Sequence, residues 1–145
     1  VFFEDKKYFV DEANKTYKLD LLRAFLKDKG IAIFDTALRI RRTTGTASDK
    51  DLEIVEPADL DHMLRVLPQC KAVLAAGQLA TKVFTDHYQI DAHKMKMGDY
   101  KEFTFEGRTI RLYREPSSSR AYPMKVEKKA EYYKQMLSEV GLLDD

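Results

Sequence analysis

Two short apolar runs, each closed by a turn residue, constrain this chain more than any other feature. Ile31-Ala32-Ile33-Phe34 lies between Gly30 and Asp35, and Ala72-Val73-Leu74-Ala75-Ala76 stops at Gly77. Runs this short, apolar at successive rather than alternate positions, suit strands covered on both faces. Helical periodicity surrounds them. Leu19, Leu22, Phe25 and Leu26 share one face over Leu19–Lys29, with Gly30 as the stop. Pro57 suits a helix start, Asp59 and Asp61 follow in the first turn, and Leu60, Met63, Leu64 and Leu67 form a stripe that Pro68 ends. Gln78–Tyr88 turns Leu79, Val83 and Phe84 inward. Val126, Ala130, Tyr133, Leu137 and Val140 make a last helix over Val126–Val140, stopped by Gly141.

The remaining segments read as follows. Val1–Tyr17, rich in rings and charges without clean periodicity, is expected to be an irregular or partly helical lead-in. Thr36–Glu56, poor in apolar residues, reads as a long loop. Glu102–Phe105 and Thr109–Arg114 flank Glu106-Gly107 as a hairpin. Pro116–Pro123 is a loop. The alternation of helix and strand predicts a single domain over residues 1–145. Its expected form is a three-layer α/β/α sandwich with a mostly parallel central sheet. Ligands of such sheets bind beyond the carboxyl ends of the strands, here Asp35–Arg42, Ala75–Gln78 and Glu115–Arg120. Those turns are expected to meet on one rim.

Composition narrows the function classes. With 145 residues the chain can bury a core without disulfides or a structural metal. Hydrophobic residues at 44% and charged residues at 34% exclude a disordered chain. The apolar runs are too short to span a bilayer, so no membrane partner is expected. No basic-plus-apolar leader points to secretion. Cys70, alone, excludes an internal disulfide framework and a cysteine-rich zinc site and fits a reducing, cytoplasmic setting. His62, His87 and His93 lack ligand spacing, so no metal is expected. With neither a Gly-x-Gly-x-x-Gly fingerprint nor a P-loop, no cofactor is expected either.

The net charge of +1 hides segregation. Arg39, Arg41, Arg42 and Lys50 cluster in one basic stretch, and Arg108, Arg111, Arg114, Arg120, Lys125, Lys128 and Lys129 in another. Asp49–Asp61 is acidic. One basic face and one acidic face fit this pattern, and a basic face attracts a polyanion. On charge alone, ordinary solvated surface is the favoured account of it, since charge blocks are common on surfaces. The most informative loop is Pro116-Ser117-Ser118-Ser119-Arg120. Three hydroxyls beside an arginine, stiffened by proline, suit a grip on a nucleic-acid backbone.

The order of these pieces resembles the uracil-DNA glycosylase superfamily, closest to the small bacterial branch related to mismatch-specific uracil and hypoxanthine glycosylases. The pieces are Gly30–Thr36, Arg41-Arg42 leading to Ala47-Ser48-Asp49, Glu56–Leu60, Ala72–Ala80 and Pro116–Arg120. The resemblance runs from about Leu19 to Leu143. It implies a monomeric DNA-repair enzyme that everts a damaged base and hydrolyses its N-glycosidic bond. By the same resemblance, Pro116, Ser117, Ser118, Ser119 and Arg120 contact DNA, with Arg41 and Arg42 on the other side. Asp35, Ala76 and Gly77 line the base pocket. The residue that activates water is unassigned, with Asp35 and Asp49 as candidates.

Three departures accompany the resemblance. The family's opening Gly- and Pro-containing motif has no counterpart, and the start at Val1 implies that a first strand and its motif belong before it. Ala76 stands where many relatives have Asn. Ser117–Ser119 stand where several have His. The alternative is a DNA- or nucleotide-binding module that keeps the fold without excision.

Overall fold

The computed structural model describes residues 7–42, 52–119 and 121–143. Its elements in chain order are β1 (Val10–Asp11), β2 (Thr16–Tyr17), α1 (Leu19–Lys29), β3 (Ala37–Arg42), β4 (Leu52–Pro57), α2 (Leu60–Arg65), β5 (Ala72–Ala76), α3 (Gln78–His87), β6 (Tyr100–Phe105), β7 (Arg108–Glu115) and α4 (Val126–Glu139). The strands form two antiparallel pairs, β1–β2 and β3–β4, and one three-stranded sheet in the order β5-β7-β6. Within that sheet β5 runs parallel to β7, and β6 antiparallel to it.

This corrects the expected three-layer sandwich with its mostly parallel central sheet. Four helices accompany three small sheets, and among the described residues β5–β7 is the only parallel pair. The element that fails is Ile31–Phe34. It has no strand beside it, and Ile33 remains 69% exposed. An apolar run can become a strand only where a neighbouring backbone takes up its N–H and C=O groups.

The second correction concerns Thr36–Glu56. Ala37–Arg42 and Leu52–Pro57 pair as a ribbon, with Ala37 opposite Pro57 and Arg42 opposite Leu52. Leu38 and Ile40 alternate with Arg39 and Arg41, and Leu52 and Ile54 flank Glu53, which is the period of a strand. The register sets Arg39 against Glu56 and Arg41 against Glu53. One basic block and the acidic block are therefore neighbours in one ribbon rather than opposite faces of the molecule. The lead-in is likewise a small β1–β2 ribbon, and the Phe9 ring packs on Phe25 of α1 at 5.2 Å.

The core lies in the C-terminal part. Leu60 and Leu64 of α2, Ala75 of β5, Phe84 of α3, Phe103 and Phe105 of β6, and Ile110 and Leu112 of β7 form one buried cluster. Each fully buried aliphatic side chain contributes about 1.5–3 kcal/mol relative to exposure. The β6–β7 turn is made by Glu106 and Gly107, both at positive φ (47° and 80°), as a tight hairpin requires. Asp59 caps α2 by accepting the His62 N–H at 3.0 Å. Arg108 satisfies the other end, its guanidinium donating to the carbonyls of Leu64, Leu67 and Cys70. Tyr113 and Glu115 lie on the opposite side of β7 from Leu112, toward α4, where Tyr113 meets Glu139.

Candidate functional site

The site grows from the parallel pairing. Because β5 and β7 run the same way, their carboxyl ends arrive together, and the register sets Ala76 beside Glu115. One residue further, the Gly77 N–H donates to the Glu115 carbonyl at 2.8 Å. Gly77 sits at φ 101°, a conformation that favours glycine, and there the chain turns from β5 into α3. Thr81 secures the turn, its hydroxyl donating to the Gly77 carbonyl at 2.9 Å. On the other strand, Pro116 and Ser117 are buried, and the serine turn begins.

That turn is built from its own hydroxyls. The Ser117 hydroxyl accepts the Ser119 N–H and the Ser119 hydroxyl accepts the Ala121 N–H, each at 3.2 Å. Helix α4 holds the turn from behind. The Tyr133 hydroxyl donates to the Pro116 carbonyl at 2.8 Å, and the buried Lys129 ammonium donates to the Ser119 carbonyl at 2.8 Å. Each serine hydroxyl that accepts in this way keeps a proton to donate. The turn is therefore a held set of donors at the strand tips.

These tips open on a cleft of about 1410 Å³, whose lining includes Asp35, Ala76, Leu79, Ser117, Ser118 and Tyr133. Its other wall is Gly30–Thr36, the segment expected to be a strand. Asp35 is exposed at the mouth. The structure thus gathers Ala76, Gly77, Pro116, Ser117, Ser118 and Ser119, with Asp35 across the cleft. Arg41 and Arg42 belong to the β3–β4 ribbon, and where their side chains reach lies outside what the structure describes. Arg120 and Asp49 lie outside the described residues.

Much of the second basic stretch is engaged in structure. Arg108 serves the α2 terminus, Arg111 lies 4.5 Å over the Tyr100 ring, Arg114 donates to the Met95 carbonyl at 2.5 Å, and Lys129 holds the serine turn. A count of cations along the sequence therefore overstates the positive charge available to a polyanion. His87 and Tyr88 both reach Asp61, at 3.0 and 2.8 Å, and these hydrogen bonds hold the Asp61 carboxyl below its usual range. Among the described residues no group of three His, Cys, Asp or Glu side chains could hold a metal ion. No helix among them is long and apolar enough to cross a membrane.

Sequence reasoning placed Glu115 at a strand end and gave it no role. Glu115 is 1% exposed, and among the described residues neither carboxylate oxygen has a hydrogen-bond partner. Burial, reinforced by the charge of Glu139, pushes its carboxyl up to about 7. Tyr133, half-buried and close to Glu115, is pushed up to about 12 by desolvation and by the Glu115 charge. The signal lay in β7 itself: Glu115 falls on the same alternation as Tyr113, so strand periodicity aims a carboxylate inward. Set against models of protein families, curated proteins and solved structures, the chain matches none.

Proposed function

We propose that the protein is a DNA base-excision hydrolase that cleaves the N-glycosidic bond of an everted, deaminated base. One observation carries the reading. The Gly77–Glu115 hydrogen bond brings the Ala76-Gly77 turn and the serine turn together at the mouth of one cleft. A base lost from deoxyribose departs with the bonding electron pair, while the sugar gains oxocarbenium character until water adds at its anomeric carbon. Such a reaction gains most from fixed donors at the departing base and from a held backbone. The Ala76-Gly77 turn suits the base end, and Ser117–Ser119 suit the phosphate.

A nucleotide-binding module without excision is the second reading. It is favoured by Ala76, whose methyl cannot hydrogen-bond to a base, and by the structural use of Arg108, Arg114 and Lys129. Incubating the protein with duplexes carrying one uracil or one hypoxanthine, followed by alkali, separates the two. Strand scission at the lesion is expected. Tight binding of the same duplexes without scission supports the module, and duplexes neither bound nor cleaved would overturn both readings.

A further inference from the structure

The serine turn is tied to α4 at two points, and the two ties share a pattern. Lys129 and Tyr133 are four residues apart, so they lie on one face of the helix. They meet carbonyls three residues apart, those of Ser119 and Pro116, each at 2.8 Å. Both ends of the turn therefore give their carbonyl oxygens to the helix. A turn that receives an anion must point its oxygens away from it and its N–H and O–H groups toward it. Pro116 is fully buried, and its carbonyl is the first beyond the Gly77–Glu115 hydrogen bond. The Tyr133 hydroxyl thus sets the direction in which the turn leaves β7. Tyr133 also lines the cleft, as Ser117, Ser118 and Ser119 do. Its phenol, pushed up to about 12, stays a donor at physiological pH. The Lys129 ammonium adds a second hold, lying 5.5 Å over the Tyr122 ring beyond the turn.

We propose that Tyr133, seconded by Lys129, is the positioning residue of a phosphate grip: through the Pro116 carbonyl it aims the serine hydroxyls at a phosphate group in the mouth of the cleft. The inference rests on the base-excision reading for the source of that phosphate, a DNA backbone. The serine hydroxyls are the groups it aims. Those of Ser117 and Ser119 accept N–H groups of the turn itself, and their protons remain to donate. Tyr133 acts on Ser117, the residue that follows the carbonyl it holds. Without the Tyr133 hydroxyl, the Pro116–Ser117 peptide loses the bond that fixes its plane. The Ser117 hydroxyl then loses its aim, and a carbonyl oxygen is free to swing toward the anion.

The test follows inorganic phosphate and a uracil-containing duplex side by side, in the parent, Tyr133→Phe, Ser117→Ala and the double variant. Amide shifts of Ser117–Ser119 report phosphate, and affinity across a range of salt reports the duplex. Tyr133→Phe should weaken both by about fivefold, the equivalent of one net hydrogen bond. It should also lower the salt slope by about 1, the loss of one phosphate contact. In the double variant the losses should fall well short of additive, because Tyr133 acts through Ser117. Thermal unfolding confirms that each variant folds. Should Tyr133→Phe not fold, Lys129→Met carries the same test against Ser119→Ala. The proposal is overturned if the parent's serine amides ignore phosphate, if Tyr133→Phe keeps the parent's affinity and salt slope, or if the losses add in full. Tyr133-dependent phosphate binding in a protein that neither binds nor cleaves duplexes would sink the excision reading and keep the grip. Scission at uracil that Tyr133→Phe leaves unchanged in rate and salt dependence would do the reverse.

Discussion

Two stretches of similar apolar character meet opposite fates in this chain. Ala72–Ala76 becomes β5 because β7 lies alongside it, and the Ala75 side chain is buried in the core. Ile31–Phe34 has no such neighbour and stays irregular, with Phe34 half exposed. The helices divide in the same way. α3 turns Phe84 into the core, whereas α1 has four apolar side chains on one face and no buried residue. Hydrophobic patterning states which residues gain from burial. Backbone pairing decides which of them are buried.

The comparison breaks most directly at Leu112 and Leu21. Leu112 has no exposure, so Leu112→Ala should lower the unfolding free energy by about 3 kcal/mol. Leu21 is 41% exposed on α1, and Leu21→Ala should lower it by less than about 1 kcal/mol. Denaturant titration measures both, and equal losses would mean that α1 belongs to the same core.

A comparable effect is expected at Glu115, through pH. Its carboxyl titrates near 7 in the folded protein and at 4.5 in an unfolded chain, so the folded state binds the extra proton between those values. Stability should therefore fall as pH rises from about 4.5 through about 7, by up to about 3 kcal/mol. Glu115→Gln should flatten that slope. A parent protein that grows more stable over this interval by the same measurement would contradict the burial of the carboxyl.

Arg108→Met should lower stability by about 2 kcal/mol, because it removes the guanidinium that bonds the carbonyls of Leu64, Leu67 and Cys70 in and after α2. The smallest effect sharpens the contrast between the regions. Gly30 and Gly107 have similar φ, 70° and 80°, and a Cβ at either meets open space. An alanine should strain each by about 1 kcal/mol. At Gly107 the strain should appear as lower global stability. At Gly30 it should appear as lost helical circular dichroism from α1, with the main unfolding midpoint unmoved.

How much was legible follows from where the information lies. α1, β5, α3, the β6–β7 hairpin and α4 are each punctuated locally, by Gly30, Gly77, Glu106-Gly107 and Gly141, and their periods read directly from the residues. The β3–β4 ribbon alternates too, but five arginines and glutamates are interleaved with its apolar residues and make it resemble a loop. Only the backbone register, with Arg41 opposite Glu53, shows the two segments to be strands. The Ala76-Gly77 turn and the serine turn were visible as motifs. Their meeting at one rim was expected of a parallel sheet, and the parallel register of β5 and β7, which joins residues far apart in sequence, brings it about. Glu115 stayed hidden for a related reason: before a Pro-Ser turn it looks like a solvated strand end, and α4 is what buries it.

The central claim is that ligand binding belongs to the shared tip of β5 and β7 and not to the β3–β4 ribbon. Amide chemical-shift changes on titration with a uracil-containing duplex test it most directly. Changes concentrated at Ala75–Gln78 and at residues 115–119, with Ile40–Arg42 little affected, are the predicted result. Changes confined to Ile40–Arg42 and their partners on β4 would contradict it.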